Sequence, residues 1–208
     1  MSSPAESLSQ SERAAIADLL DQLGPDQPTC CVGWRTRDLA AHLVVRDRRP
    51  DSMPGLVLGG PFAVWTERVR SRAGRTRLWA QLVHEVRSGP ARWLPTAWPV
   101  VDRAMNAVEM VVHHEDVRRA QPDWSPRELP AEVQDRLWQA VPLTARGGHL
   151  PVPTGGLVVR RTDRPAGADA ERRLRDGRPT TTVAGEPLEV LLWVSGRDTV
   201  ARVEVTTA

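Results

Sequence analysis

The stretch VEMVVHHEDVRRA, residues 108–120, decides the reading of this chain. Val101, Ala104, Met105, Val108 and Val112 recur with helical spacing, which predicts a helix over residues 100–120 with one apolar stripe. At about 100° per residue, Glu109, His113 and Asp116 fall along one edge of that stripe. Glu109 and His113 stand one turn apart and can reach a common point. A carboxylate and an imidazole placed in this way supply half of a metal site on a helix. His114 points away from that direction. With Glu115, Arg118 and Arg119 it reads as a solvated face.

Upstream, helical signals continue. Residues 9–23 carry Ala14, Ile16, Leu19, Leu20 and Leu23 at helical period, stopped by Gly24-Pro25. Thr36 is expected to cap a helix from Arg37 to about residue 49. Residues 51–61 read as loop, and residues 62–88 as a third helix broken near Gly74. Pro90, Pro95 and Pro99 mark an extended connection. Downstream, residues 122–130 read as a linker and residues 131–145 as a fifth helix. Beyond Gly147 the pattern changes to short β-type runs over residues 156–162, 180–184 and 200–206. Residues 187–194 suit a short buried helix opened by Pro187, and residues 164–176 an exposed Arg-rich turn. The expectation is a mainly α chain, with a helical bundle over residues 1–147 and a small α+β domain over residues 148–208.

A metal held by Glu109 and His113 needs a further ligand. His42 is the best candidate, because it sits in an otherwise apolar turn, Leu39-Ala40-Ala41-His42-Leu43-Val44. Two imidazoles and one carboxylate leave coordination positions open for water or substrate, which is a catalytic arrangement. The ordinary alternatives are a helix-stabilising Glu109–His113 pair and a hydrogen-bonded core histidine at position 42. Cys30 and Cys31 read as buried and inert, and neighbouring cysteines pair only with strain. His84 and His149 have no partner in the pattern. The Ser195-Gly196-Arg197-Asp198 run lacks a nucleophile-elbow context.

Composition narrows the classes. A chain of 208 residues allows one mid-sized domain, or a larger and a smaller one. With 40% hydrophobic and 26% charged residues, the chain has the composition of a globular protein. No uncharged apolar run nears the roughly 20 residues that span a bilayer, and the N-terminus lacks the pattern of a signal peptide. A cytoplasmic protein is expected. The 28 basic residues, all Arg, are offset by 26 interspersed acidic ones, which argues against nucleic-acid and membrane partners. Two cysteines exclude a disulfide framework and the four-cysteine zinc modules.

Three pieces together carry a resemblance. They are GPDQPT (24–29) with GWRTRDLAAHL (33–43), then VEMVVHHEDVRRA (108–120), then VAGEPLEVLLWVSGR (183–197). The chain resembles an actinobacterial branch of the mycothiol-dependent maleylpyruvate isomerase family, within the DinB-like metal-binding superfamily. The resemblance implies a DinB-like four-helix bundle followed by a small α+β domain. It also implies a divalent metal, zinc, on His42, Glu109 and His113. Imidazole and carboxylate donors do not by themselves choose among Zn, Ni and Fe. A low-molecular-weight thiol, mycothiol, is the implied cofactor, and the implied chemistry is isomerisation or thiol transfer on a small electrophile. Arg197 and Arg46 are the candidates for holding an anionic substrate. Two other readings stay open. One is a non-catalytic metal-binding or sensor module, closed by Asp116 or a cysteine as fourth ligand. The other is a structural domain with a buried polar network.

Overall fold

The computed structural model describes residues 7–49, 51, 60–90, 106–147, 150–151, 154–165, 167 and 169–208. Helix α1, Leu8–Leu23, opens with a reciprocal cap. Ser7 Oγ accepts from the Gln10 N–H at 3.3 Å, and the Gln10 side chain accepts from the Ser7 N–H at 3.1 Å. It closes at Gly24, whose φ of +79° favours glycine. Helix α2, Thr36–Arg48, starts one residue earlier than expected, and Thr36 does not cap it. The Thr36 hydroxyl donates instead to the Gly24 carbonyl at 2.6 Å and ties the end of α1 to the start of α2. The Arg35 N–H at that start donates to the Asp38 carboxylate at 3.1 Å.

The third predicted helix is two helices, α3 (Gly60–Thr76) and α4 (Trp79–Ser88), parted at Arg77 and Leu78 rather than at Gly74. Gly74 lies inside α3 facing Ala41, where an added Cβ would meet the Ala41 Cβ at 3.5 Å. Helix α5, Ala107–Arg118, carries the decisive stretch. The predicted helix start at residues 100–105, with Val101, Ala104 and Met105, lies outside the described residues, as do Pro95 and Pro99 and most of the predicted 51–61 loop. Helix α1 packs on α4 and α5, and α2 on α3 and α4. Their shared core includes the fully buried Ile16, Leu20, Leu39, Leu43, Leu82 and Met110.

The chain divides into two compact units, Met1–Ser125 and Pro126–Ala208. The division predicted at 147/148 differs by one helix, α6 (Ala131–Ala145), which packs on the second unit's own short helix. Trp138 of α6 is 2% exposed and donates from Nε1 to the Asp169 carbonyl at 2.9 Å. The Gln134 side chain accepts from the Leu188 N–H at 3.0 Å. The sheet comprises β1 (Gly156–Arg161), β2 (Glu171–Arg175), β3 (Thr180–Gly185) and β4 (Glu204–Thr207), in the order β2-β1-β3-β4. β1 and β3 run parallel, and the outer pairs are antiparallel. Helix α7, Pro187–Val194, follows β3 and is buried along its whole length. Two expectations change here. The turn predicted over residues 164–176 contains strand β2, whose arginines suit a sheet edge. The last strand begins at Glu204, because the N–H groups of Val200 and Ala201 turn back to the Arg197 carbonyl. The described chain is thus mainly helical with a small four-stranded sheet. No described helix is long and apolar enough to cross a membrane.

Candidate metal centre

Three elements of the first unit build the centre. Helix α5 presents Glu109, His113 and Asp116, helix α2 presents His42, and the 24–35 loop presents Cys31. That loop is held from within and from α5. Thr29 Oγ1 donates to the Trp34 carbonyl at 2.9 Å and accepts from the Cys31 N–H at 3.2 Å. The Cys30 N–H donates to the Asp116 carbonyl at 2.8 Å. Gly33 turns the chain at a φ of +76°.

Both imidazoles aim at one oxygen. His113 Nε2 lies 3.1 Å and His42 Nε2 3.4 Å from Glu109 Oε1. The rings meet edge to face with centroids 5.0 Å apart, and the Trp34 ring stands 5.2 Å from His42. The three donor atoms lie within 4.8 Å of one another. Behind them, Asp116 Oδ2 is 2.8 Å from His113 Nδ1 and accepts from Cys31 Sγ at 3.2 Å. A carboxylate on the far nitrogen of a histidine fixes the ring and raises the basicity of the near one.

The charges follow from these neighbours. Burial pushes His42 below its ordinary value, against the hydrogen bond to Glu109, and the charges of His113 and Arg46 push it further down. Neutral imidazole is the form that binds a metal. Burial alone would raise the Glu109 carboxyl. The hydrogen bonds from His113 and His42, with the charges of His113 and Arg46, hold it well below the usual carboxylate range. His113 is lowered by burial, but its bonds to Asp116, Cys31 and Glu109 win and raise it well above its ordinary value. The Glu109 side chain keeps 33% of its surface exposed, against 14% for His42 and 8% for His113.

The predicted ligands His42, Glu109 and His113 are therefore brought together. Arg46 is also brought in, but buried and turned inward. Its Nε lies 3.5 Å from Glu109 Oε1, and its Nη1 donates to Asn106 Oδ1 at 2.8 Å. Arg197 belongs to the second unit, where it donates to the Ser195 carbonyl at 2.6 Å just after α7. His114 does point away from the centre, but the solvated face expected around it is not there. His114 Nδ1 lies 2.7 Å from Glu12 Oε2 of α1, with both side chains 8% exposed. Glu115 and Arg119 are buried too, paired at 2.6 Å. Helix α5 is surrounded, and each charge it buries has a partner, as burial of charge demands.

Cys30 and Cys31 are half-buried rather than buried, and Cys31 is hydrogen-bonded to Asp116. His84 is exposed and lies 3.4 Å from Ser88 Oγ, while His149 lies outside the described residues. Sequence reasoning missed Asn106 and the place of Trp34 against His42, and offered a cysteine only as a possible fourth ligand, without choosing Cys31. Asn106 could have been found one turn before Glu109 on the same face. The approach of Cys31 to Asp116 carried no such signal. A groove of about 800 Å³ along α2 and α3 is lined by Val45, Trp65, Val69, Arg48, Arg68 and Arg72 among others, and none of the three donors lines it.

No protein-family model, curated protein or solved structure matches this chain. The fit to a metal is carried by the donors themselves. Two Nε2 atoms and a carboxylate oxygen converge, and the one far nitrogen whose partner is seen, His113 Nδ1, is already held. Such a set suits a borderline divalent ion.

Proposed function

We propose that this chain is a divalent-metal protein of the DinB-like four-helix-bundle type, with His42, Glu109 and His113 as ligands and zinc as the metal. In this reading it is a cytoplasmic member of the mycothiol-dependent maleylpyruvate isomerase family. It acts as an isomerase or thiol transferase on a small electrophile, with no nucleic-acid or membrane partner. One observation carries the proposal: His42 and His113, from different helices, direct Nε2 at the same Glu109 oxygen. The sequence resemblance supports the family and the thiol.

A divalent metal there supplies Lewis acidity, which lowers the pKa of a thiol toward neutrality. The chain's own residues do the rest. Asp116 holds the His113 ring through Nδ1. The bonds from His113 and His42 hold Glu109 ionised, and Arg46, itself steadied by Asn106, adds its charge. Given its place against Glu109, Arg46 serves as a positioning residue. His42, Glu109 and His113 would hold the ion, and with only three protein donors it could also accept a thiol.

Elemental analysis of untagged protein tests the centre, with one equivalent of divalent metal expected. Binding of mycothiol to cobalt-substituted protein tests the chemistry, through a sulfur-to-metal charge-transfer band that is absent in His42→Ala. The second reading is a non-catalytic metal-binding or sensor module. It becomes the better one if added mycothiol leaves the cobalt spectrum unchanged.

A further inference from the structure

His113 faces a different donor group from each ring nitrogen. Nε2 looks toward His42 and Glu109. Nδ1 looks toward Asp116, and Cys31 Sγ sits 3.2 Å from the same Asp116 oxygen that Nδ1 approaches at 2.8 Å. We infer that Cys31, His113 Nδ1 and Asp116 form a second, thiolate-containing metal site that captures a soft divalent ion such as cadmium, in exchange for the ion held by His42, Glu109 and His113.

The donor atoms of this second group also lie within 4.8 Å of one another. Metal–ligand bonds of about 2.0–2.3 Å place neighbouring ligands roughly 3–4 Å apart, so small side-chain movements convert the hydrogen-bonded cluster into a coordination sphere. The backbone is set for it. His113 and Asp116 are one turn apart on α5, and the Cys30 N–H anchors the thiol-bearing loop to the Asp116 carbonyl. Selectivity follows from softness, since thiolate draws soft ions while imidazole with carboxylate serves borderline and harder ones.

Exclusion follows from the ring. A neutral imidazole offers one lone pair and one N–H. With the ion on Nε2, the Nδ1–H donates to Asp116. With the ion on Nδ1, the proton sits on Nε2 and donates to Glu109. On binding, the Cys31 thiol loses its proton to solvent, as does His113 Nδ1 where the ring starts doubly protonated, and no oxidant or reductant is involved. Occupying both sites at once would require removal of the last ring proton. The exclusion rests on the proposed role of His42, Glu109 and His113, whereas the soft site does not.

The test is a cadmium titration of the full, metal-free chain, followed by the thiolate-to-cadmium band in the ultraviolet. Circular dichroism checks the fold of each variant. The band should saturate at one equivalent in the natural chain, in Cys30→Ser and in His42→Ala, and be lost in Cys31→Ser. Cadmium should also shield Cys31, but not Cys30, from alkylation in the natural chain, a readout that needs no variant. Added to zinc-loaded protein, cadmium should release one zinc per band formed. No band in the natural chain, or a band that survives Cys31→Ser, overturns the site, and zinc retained while the band grows overturns the exchange. If the band behaves as stated but His42→Ala holds zinc as well as the natural chain does, the His42 centre fails and the soft site stands. If His42→Ala alone loses zinc and no band forms, the soft site fails and the His42 centre stands.

Discussion

His113 and His114 are adjacent, yet one faces the metal donors and the other a buried glutamate of α1. His113→Ala should abolish stoichiometric metal. His114→Ala should keep the metal and lose about 2–4 kcal/mol of stability, because Glu12 is left buried without this partner. Elemental analysis and urea unfolding read the two outcomes. The raised His113 value also sets a pH dependence. In the metal-free chain the His113 proton stabilises the fold fully below its ordinary value of 6.5, and that contribution is lost as pH rises through the raised folded value. A metal competes with this proton, so zinc affinity should keep climbing above pH 6.5 until His113 has deprotonated. Competition titrations over a pH series should show the plateau. In Asp116→Asn the plateau should come at lower pH, and affinity there should be about 10–100-fold weaker, because the ring loses its carboxylate support. An unchanged plateau would mean that Asp116 does not govern this ring.

At the scale of elements, α2 and α3 are joined beside the centre by Arg70. Its guanidinium bonds Asp38 at 2.6 Å and Glu67 at 2.5 Å, and lies 4.6 Å from the Trp34 ring that stands against His42. Burial pushes the Asp38 carboxyl up, but the Arg70 bond, the Arg35 N–H and the charges of Arg70 and Arg37 together outweigh it, and for Glu67 the Arg70 bond is the leading cause. Both carboxyls end below their ordinary values. Their contribution to stability is present above the ordinary carboxylate range and lost as pH falls through the lowered values. Both side chains are well exposed, at 35% and 52%, so the effect is below about 1 kcal/mol. In Arg70→Met, carboxyl NMR titrations should return both groups toward their ordinary values, with little change in stability near neutral pH. The Thr36 hydroxyl, bonded to the Gly24 carbonyl, joins α1 to α2. Thr36→Val should cost about 1–2 kcal/mol in urea unfolding, through the partner lost at that carbonyl.

At the scale of the whole chain, the second unit needs α6. Its core includes Trp138, Leu137 and Val141, all within α6 and nearly unexposed, and the Arg172 guanidinium lies 5.1 Å from the Trp138 ring. A fragment of residues 126–208 should give a dispersed amide spectrum and a cooperative melt. A fragment of residues 148–208 should give neither, since it leaves Leu188 and Asp169 without their α6 partners. Within the full chain, Trp138→Ala should cost about 3–5 kcal/mol. A well-folded 148–208 fragment would return the boundary to where the sequence pattern put it.

What the sequence determined by itself was everything set by local period. Helices α1, α6 and α7 and strands β1 and β3 fall within a residue or two of their expected ends. Capping residues, glycine stops and apolar spacing are local properties. The Glu109–His113 pair was legible for the same reason, since residues one turn apart must share a face. Only the tertiary structure decided what faces what. His114, Glu115 and Arg119 look like a wetted surface in sequence, because a charge hidden in a pair has the same letter as a charge in water. Strand β2 reads as a polar turn because its alternation is masked by arginines at a sheet edge. The 24–35 loop carries no period at all. The approach of Cys31 to Asp116 depends on a backbone bond across 86 positions of sequence, from Cys30 to Asp116, which no local pattern encodes.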